Sequence, residues 1–313
     1  MPKRKRGSNL HDKKHVRKRA QRAEACRKSL CPSAIHNFPV KHKLPRLAVI
    51  ARKGNVCYLS ELTRGSNEGE DTGNGDGNRV ITEAFVILDD DKTILPYYDP
   101  HAITQEGIDE MMRDCGILWR DGKDCIERGI TMNPPGQKMR LYGYTCSLDP
   151  HRKLACRVVN DKNEDMRESG HRMALKATND LSALIGPVRY LLPQVPVQAS
   201  PYSIACGKAT TMTLTKNYES HSHRDTDGGG SAAICWLLSG RGKRPLGGNF
   251  VLPELGLEFK TYHGAAIMFD TSRFWHYTQR PVPVEGGPDL WGFSVYLEDE
   301  VLRTGQDRYR SST

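Results

Sequence analysis

The C-terminal third of the chain is a series of short strand patterns separated by turn residues, and no other feature limits the fold as much. Alternating or continuous apolar runs occur at 209–218, 231–238, 248–262, 264–270, 274–282 and 290–297. Short strands at such close spacing predict an antiparallel sandwich or barrel. The sequence therefore predicts a jelly-roll core from about residue 205 to residue 300.

Two segments upstream of these strands follow a helical period instead. They cover residues 104–128 and 163–186, and in the second the apolar residues recur at roughly helical spacing until Gly186-Pro187 ends the pattern. We therefore predict the α+β class, in which supporting N-terminal helices pack against the jelly-roll core.

The positive charge of the chain is concentrated at its N-terminus. The net charge is +9, yet residues 1–30 contain 12 of the 46 Lys and Arg residues and only two of the 37 acidic ones. The rest of the chain is therefore nearly neutral. We predict that residues 1–35 form a disordered basic arm. Such an arm is either a solvated tail or a nuclear-import signal that also contacts phosphates, and the second alternative predicts a nuclear protein.

The remainder divides at a second change in composition. Residues 36–80 combine short strand patterns with a glycine-rich, acidic loop at 64–80, and residues 81–313 show no comparable break. No apolar run is long enough to span a bilayer, and the N-terminus is charged, so we expect a soluble, intracellular protein. We also expect a monomer. The nine cysteines include no C-x-x-C pair, which argues against a disulfide framework or a structural zinc site.

One short motif within the strand region has the spacing of a metal site. His223-Arg224-Asp225 is an H-x-D, which on an extended strand places an imidazole and a carboxylate on the same side. His276 is a candidate third ligand from a later strand. Two histidines and one carboxylate form the facial triad that leaves coordination positions open on Fe(II). The alternative is a polar turn on a cupin-like binding barrel.

The sequence between these candidate ligands also has a characteristic form. It contains G-G-x-F-x-L-P at 247–253 and G-x-x-x-x-F-D at 264–270, ahead of His276. From about Thr210 to Glu298 the array resembles the double-stranded β-helix dioxygenases that use Fe(II) and 2-oxoglutarate, and most of all the TET/JBP group with its compact fungal members. The resemblance implies a double-stranded β-helix (jelly-roll or cupin-like) core at 205–300 within a dioxygenase domain at 81–313.

The resemblance also implies an activity and its cofactors. His223, Asp225 and His276 would hold Fe(II), with 2-oxoglutarate and O2 as co-substrates, and the substrate would be a methylated base in DNA, foremost 5-methylcytosine, or in RNA. The alternatives are an iron-dependent hydroxylase that acts on a protein or a small molecule, and an inactive relative that binds nucleic acid through its basic arm.

The co-substrate site departs from the family pattern. Family members hold the far carboxylate of 2-oxoglutarate with the arginine of an R-x-S motif, but here Gly292 precedes Ser294. A buried carboxylate requires a cationic partner. We expect Arg280 to replace the missing arginine beside Ser294, on the same strand face as His276. Arg303, a rearranged pocket and a different reductant are the other possibilities.

Several further residues are candidates for contact with the nucleic acid. Tyr218 and Trp236 flank the metal motif and are candidate walls for a flipped base, although aromatic side chains in a barrel more often belong to the core. Asp227 is a candidate base contact or a turn cap, and His221 is expected to lie outside the first ligand shell. The loop at 239–248 offers three candidate phosphate contacts: Arg241, Lys243 and Arg244.

Overall fold

In a computed structural model of the protein, the described residues are 56–59, 62, 78–89, 94–119, 139–148, 154–159, 164–185, 202–204, 207, 209–225, 231–240 and 243–303. The predicted basic arm at 1–35 and most of the predicted loop at 64–80 lie outside these residues.

Nine strands form the larger sheet, in the order β1-β3-β4-β12-β8-β15-β7-β5-β6. All neighbours are antiparallel except β1 and β3. The bounds are β1 Val56–Tyr58, β3 Phe85–Leu88, β4 Ile94–Asp99, β5 Met139–Leu148, β6 Leu154–Val159, β7 Thr211–Lys216, β8 Ser231–Ser239, β12 Ala265–Asp270 and β15 Asp289–Tyr296.

A four-stranded sheet covers one face of the larger sheet, in the order β13-β10-β11-β2. A two-stranded ladder continues from it and pairs β14 with β9. The bounds are β2 Arg79–Ile81, β9 Leu246–Gly247, β10 Phe250–Leu252, β11 Leu257–Phe259, β13 Tyr277–Thr278 and β14 Pro281–Val282, with a 3-10 turn at Pro253–Leu255.

Two helices pack on the other face of the larger sheet. Helix α1 spans Gln105–Trp119 and helix α2 spans Glu164–Ile185, and they contact each other as well as β5 and β8. The part of the predicted helical segment 104–128 that follows Trp119 lies outside the described residues. None of the helices in the described part of the chain is long and apolar enough to cross a membrane.

The strands alternate between two apolar cores because successive side chains of a strand point to opposite faces. On β8, Cys235 faces the helices, whereas Trp236 faces the smaller sheet. The core on the helix side also contains Met111, Tyr142 and Met173, and the core between the sheets contains Phe250, Phe259 and Phe269. The strands of the predicted jelly-roll region thus build both layers.

Strands from outside the predicted core region also join the two sheets. Val56–Tyr58 extends the larger sheet beside β3, and Arg79–Ile81 pairs with β11 in the smaller one. Part of the 36–80 segment therefore belongs to the same folded unit. The boundaries proposed from the sequence for the separate regions remain a prediction.

Candidate metal centre and pocket

The chain is directed out of the larger sheet by Asn217, immediately after β7. Asn217 adopts a left-handed conformation (φ 48°), which asparagine tolerates better than most residues. Its backbone N–H donates to Leu290 O, its side-chain amide donates to Asp289, and its side-chain oxygen accepts from Leu290 N–H. These bonds fix the point at which residues 218–225 leave the sheet.

Residues 218–225 then lie alongside residues 271–278. Ser220 N–H donates to Thr278 O at 3.1 Å, and Asp225 N–H donates to Thr271 O at 3.0 Å. His223 and His276 exchange two backbone hydrogen bonds, of 3.0 and 2.9 Å. This contact is an isolated bridge, so the prediction that H-x-D lies on a regular extended strand is wrong. The irregular segment nevertheless places His223 and Asp225 on the same side.

The turn that follows β12 presents His276 to this segment. Asp270 accepts hydrogen bonds from the backbone N–H of Ser272 at 3.0 Å and from its hydroxyl at 2.6 Å. Its carbonyl also accepts from Arg273 N–H and Phe274 N–H. The aspartate of the F-D motif therefore folds the turn, since a short polar side chain can bond the backbone two residues further on.

The three predicted metal ligands meet in space. The candidate ligand atoms of His223, Asp225 and His276 all lie within 4.8 Å of one another. The Nε2 atom of each histidine is 3.8 Å from an oxygen of Asp225. Among the described residues, no other group of His, Cys, Asp and Glu side chains has this geometry.

Backbone carbonyls orient both imidazoles. Nδ1 of His223 lies 2.7 Å from the carbonyl oxygen of His221, and Nδ1 of His276 lies 3.1 Å from that of Phe274. With the proton on Nδ1, each ring presents the lone pair of Nε2 to the cluster, which is how outer hydrogen bonds prepare a histidine for a metal. His221 thus contributes through its backbone, while its side chain is exposed.

The electrostatics of the cluster also suit a divalent metal. His276 is only 4% exposed. Burial lowers its pKa to about 4, although the Asp225 carboxylate opposes this change. A neutral imidazole is the form that binds metal. Two neutral nitrogen donors and one carboxylate fit Fe(II) and leave coordination positions open.

A pocket opens beside the cluster, between the two sheets. Tyr218, Trp236 and Ser294, three residues predicted to contact substrate or co-substrate, line it together with the ligands. The wall also includes hydroxyls and apolar side chains that the sequence analysis did not single out, among them Thr213, Thr215, Thr278, Ile234, Phe250 and Leu290. The alternation of threonines with Met212 and Leu214 along β7 was a usable signal for a polar wall.

At Gly292, the position of the arginine in the family motif, neighbouring side chains occupy the space that a larger side chain would need. A Cβ atom at Gly292 would lie 2.9 Å from Thr215 Oγ1 and 3.5 Å from Cδ1 of the Trp236 indole. The described lining of the pocket includes no Lys or Arg. The pocket therefore fits iron, but these residues do not provide the cation that usually pairs with the far carboxylate of 2-oxoglutarate.

The structure does not place Arg280 where the sequence analysis expected it. Arg280 is exposed and lines an open depression with Glu219 and His221, which adjoins the pocket at Ser220 and Thr278, but Arg280 is absent from the described wall of the pocket itself. Strand β13 ends at Thr278, so Arg280 does not continue the strand face of His276. The expectation that Arg280 reaches into the pocket is therefore wrong in this structure.

The three candidate phosphate contacts have different environments. Arg241, like Asp227, lies outside the described residues, and Lys243 is exposed. Arg244 is turned inward, where it donates to Thr261 at 2.6 Å and to Asn249 at 3.1 Å and stacks on Tyr262. Burial lowers the pKa of Arg244. This guanidinium holds the smaller sheet together and is not a free phosphate contact.

Sequence comparison identifies the region that contains this site. Residues 187–294 match the protein family described as CMD1/TET dioxygenase C-terminal domain. A curated relative, 5-methylcytosine-modifying enzyme 1 of Chlamydomonas reinhardtii, is 32% identical over 100 residues, which make up 32% of this chain and 18% of the relative. The chain thus spans less than a fifth of the length of this relative.

Structural comparison gives a match over most of the chain. The structure of NgTET1 in complex with 5mC DNA is similar over 82% of this chain and 96% of that one, with a TM-score of 0.52 and 11% identity. Similarity at this identity concerns the fold, and it confirms the predicted α+β class with a double-stranded β-helix core. Residues 187–294, which contain the candidate metal centre, therefore resemble a CMD1/TET dioxygenase C-terminal domain, on a fold similar to that of NgTET1.

Proposed function

We propose that this protein is an Fe(II)-dependent dioxygenase that oxidises 5-methylcytosine in DNA, with O2 and 2-oxoglutarate as co-substrates. The main support is the cluster of His223, Asp225 and His276 on the wall of a pocket in a CMD1/TET-type domain. The name of the C. reinhardtii relative and the 5mC DNA bound to NgTET1 support the choice of substrate.

The residues of this chain would prepare the metal and shield it. His221 O and Phe274 O hold the imidazoles so that Nε2 of each ring faces the metal position. Ile234, Phe250 and Leu290 supply an apolar wall that limits access of water. When bound, iron would supply the oxidation, in which O2 gives one oxygen atom to the methyl group and one to the succinate left when 2-oxoglutarate loses CO2.

The methyl group of a stacked base cannot reach this pocket, so the nucleotide must leave the helix first. Enzymes that modify bases in duplex DNA extrude the target and stack it between aromatic or apolar side chains. Tyr218 and Trp236 both line the pocket and are the aromatic groups proposed for this contact. Lys243, which is exposed, is proposed to contact a phosphate. Arg241 is also proposed to contact a phosphate, and Asp227 is proposed to contact the base.

The basic arm is proposed to deliver the domain to DNA in the nucleus. Its 12 basic residues within positions 1–30 contrast with the nearly neutral remainder of the chain. Such a cluster favours both import and non-specific phosphate contact. Deletion of residues 1–30 tests both roles. We also propose that the protein is a monomer, which light scattering would measure.

The function is tested with purified protein, Fe(II), 2-oxoglutarate and a duplex with one 5-methylcytosine, with the nucleosides identified by mass spectrometry. We expect loss of 5-methylcytosine in the wild type and no turnover in His223→Ala, Asp225→Ala or His276→Ala. His101→Ala is the matched control, because His101 is exposed and lies outside the cluster. Full activity in any of the three ligand variants would contradict the metal assignment.

The same assay separates the alternatives. A methylated RNA of the same sequence tests the choice of nucleic acid. Turnover with ascorbate in place of 2-oxoglutarate would reassign the co-substrate. Hydroxylation of a protein or small molecule with no change in methylated DNA would indicate a different hydroxylase, and metal binding with no turnover of any substrate would indicate a binding module.

A further inference from the structure

The two segments that carry the histidines are joined by a few hydrogen bonds and not by a regular ladder. His223 and His276 pair through two backbone hydrogen bonds, and the flanking bonds are those of Ser220 with Thr278 and of Asp225 with Thr271. The separation of the two imidazoles, whose ring centroids lie 4.4 Å apart, depends on this short contact. A metal requires its ligands at defined distances, so something must hold the two segments in register.

Arg224 and Trp275 lie directly behind this contact. Side chains alternate along extended segments, so the residues next to the paired histidines point to the opposite face, away from the cluster. The Arg224 guanidinium lies 5.3 Å from the centroid of the Trp275 ring. Trp275 is 42% exposed, one of the few large apolar side chains in the described structure left in solvent. Stacking against Arg224 therefore contributes to the position of this half-exposed indole.

Glu254 joins the two residues from a third segment, the 3-10 turn between β10 and β11. One oxygen of its carboxylate pairs with the Arg224 guanidinium, and the other accepts the backbone N–H of Trp275 at 3.2 Å. The same carboxylate thus binds the segment that contains His223 and the segment that contains His276. We call Arg224, Trp275 and Glu254 the rear brace.

We propose that the rear brace is a positioning device for the metal centre, which fixes the distance between His223 and His276 and so sets the affinity for the metal. The inference rests on the proposed metal site. Arginine suits this role because its planar guanidinium can stack on an indole and bond a carboxylate at the same time, which a lysine ammonium cannot do in the same geometry. These three residues act through the ligands and do not touch the metal.

The experiment measures binding of Co(II), a spectroscopic substitute for Fe(II), to the metal-free protein by titration of its visible absorption. Arg224→Lys, Trp275→Ala and Glu254→Gln are each expected to weaken Co(II) binding by roughly 10-fold, the lower end of the range for groups that orient metal ligands. The double variant Arg224→Lys/Trp275→Ala is expected to bind Co(II) with about the affinity of whichever single variant binds it more weakly, because both changes remove the same contact.

The matched control is Arg273→Ala. Arg273 has the same side-chain exposure as Arg224, 40%, and it also stacks on an aromatic ring, that of Phe274 at 5.4 Å, and pairs with a carboxylate, that of Asp89 at 2.9 Å. It does not connect the two ligand segments, so Co(II) affinity is expected to stay at the wild-type value.

The outcomes distinguish the brace from the metal site itself. Absence of Co(II) binding in the wild type would reject the metal site. If all brace variants bind Co(II) with wild-type affinity and only the melting temperature of the metal-free protein falls, the proposal is rejected. The three residues would then stabilise the fold without positioning the ligands. Arg224→Lys keeps the charge and most of the length of the side chain, so it gives an answer even if a larger truncation fails to fold.

Discussion

At the scale of single residues, the co-substrate end of the pocket is neutral. Arg280 lies on the surface, beyond the pocket wall at Thr278, whereas Ser294 lies in that wall with its hydroxyl 2.5 Å from that of Thr213. The position of the family arginine, Gly292, adjoins the Thr215 hydroxyl and the Trp236 indole. Apart from the three candidate ligands and the Trp236 indole N–H, hydroxyls are therefore the polar side-chain groups that the described wall offers to a co-substrate.

The contrast between Ser294 and Arg280 gives a direct test. Ser294→Ala is expected to raise the KM for 2-oxoglutarate about 10-fold, since a hydrogen bond to a charged group contributes about 1.5–3 kcal/mol. Arg280→Ala is expected to change this KM by less than about twofold, because an exposed guanidinium outside the pocket is well solvated without a partner. Steady-state kinetics at saturating DNA measure both. A larger effect from Arg280→Ala would mean that this side chain reaches the pocket when the co-substrate binds.

At the scale of elements, helix α2 approaches the larger sheet at one glycine. A Cβ atom on Gly170 would lie 2.5 Å from the ring of Tyr142 on β5, a distance that real Cβ atoms do not show. Tyr142 is 2% exposed, and its ring meets that of His171 edge-on at 5.3 Å. The ring therefore has no free space to move into, and the absence of a side chain at Gly170 sets the distance between helix and sheet.

We expect Gly170→Ala to lower the free energy of unfolding by about 1–3 kcal/mol, because an extra methyl group in a packed interface forces its neighbours aside. Gly116→Ala in helix α1 is the control, since nothing lies within 4 Å of the added Cβ. In an exposed helix position the same substitution is expected to raise the free energy of unfolding by about 1 kcal/mol. Urea unfolding of both variants measures the difference, and equal effects would contradict this account of the packing.

At the scale of the whole molecule, the excess positive charge and the candidate pocket belong to different parts of the chain. The cluster lies within 223–276, the pocket is lined by Met139 and by residues within 213–296, and the excess positive charge lies in residues 1–30. The two regions can therefore be separated by a deletion that leaves every described residue in place. We therefore expect the deletion to affect DNA binding and to leave the metal site unchanged.

Deletion of residues 1–30 is expected to weaken binding to non-specific DNA and to reduce its salt dependence. Each phosphate that the arm neutralises contributes about −0.9 to the slope of log affinity against log salt concentration. Fluorescence anisotropy over a range of salt concentrations measures this slope, and the location of a fluorescent fusion measures nuclear import. An unchanged slope together with intact import would show that the arm is a solvated tail.

The sequence alone determined the features that depend on local pattern. Period-two and helical spacing predicted the strands and helices. The H-x-D and its distal histidine, together with the resemblance to known dioxygenases, predicted which side chains would meet, although the H-x-D does not lie on a regular strand. The missing R-x-S arginine was also visible without a structure. These inferences required no knowledge of how distant segments pack.

Only the tertiary structure decided where side chains from different segments point. Arg280 lies four residues after His276, so on one continuous strand both side chains would point to the same face. Strand β13 ends at Thr278, however, so no such strand connects them. Arg244 turns inward because Asn249 and Thr261 are its neighbours in the folded sheet. Arg224, Trp275 and Glu254 meet only when three segments converge. Such contacts join residues distant in sequence, and no local periodicity encodes them.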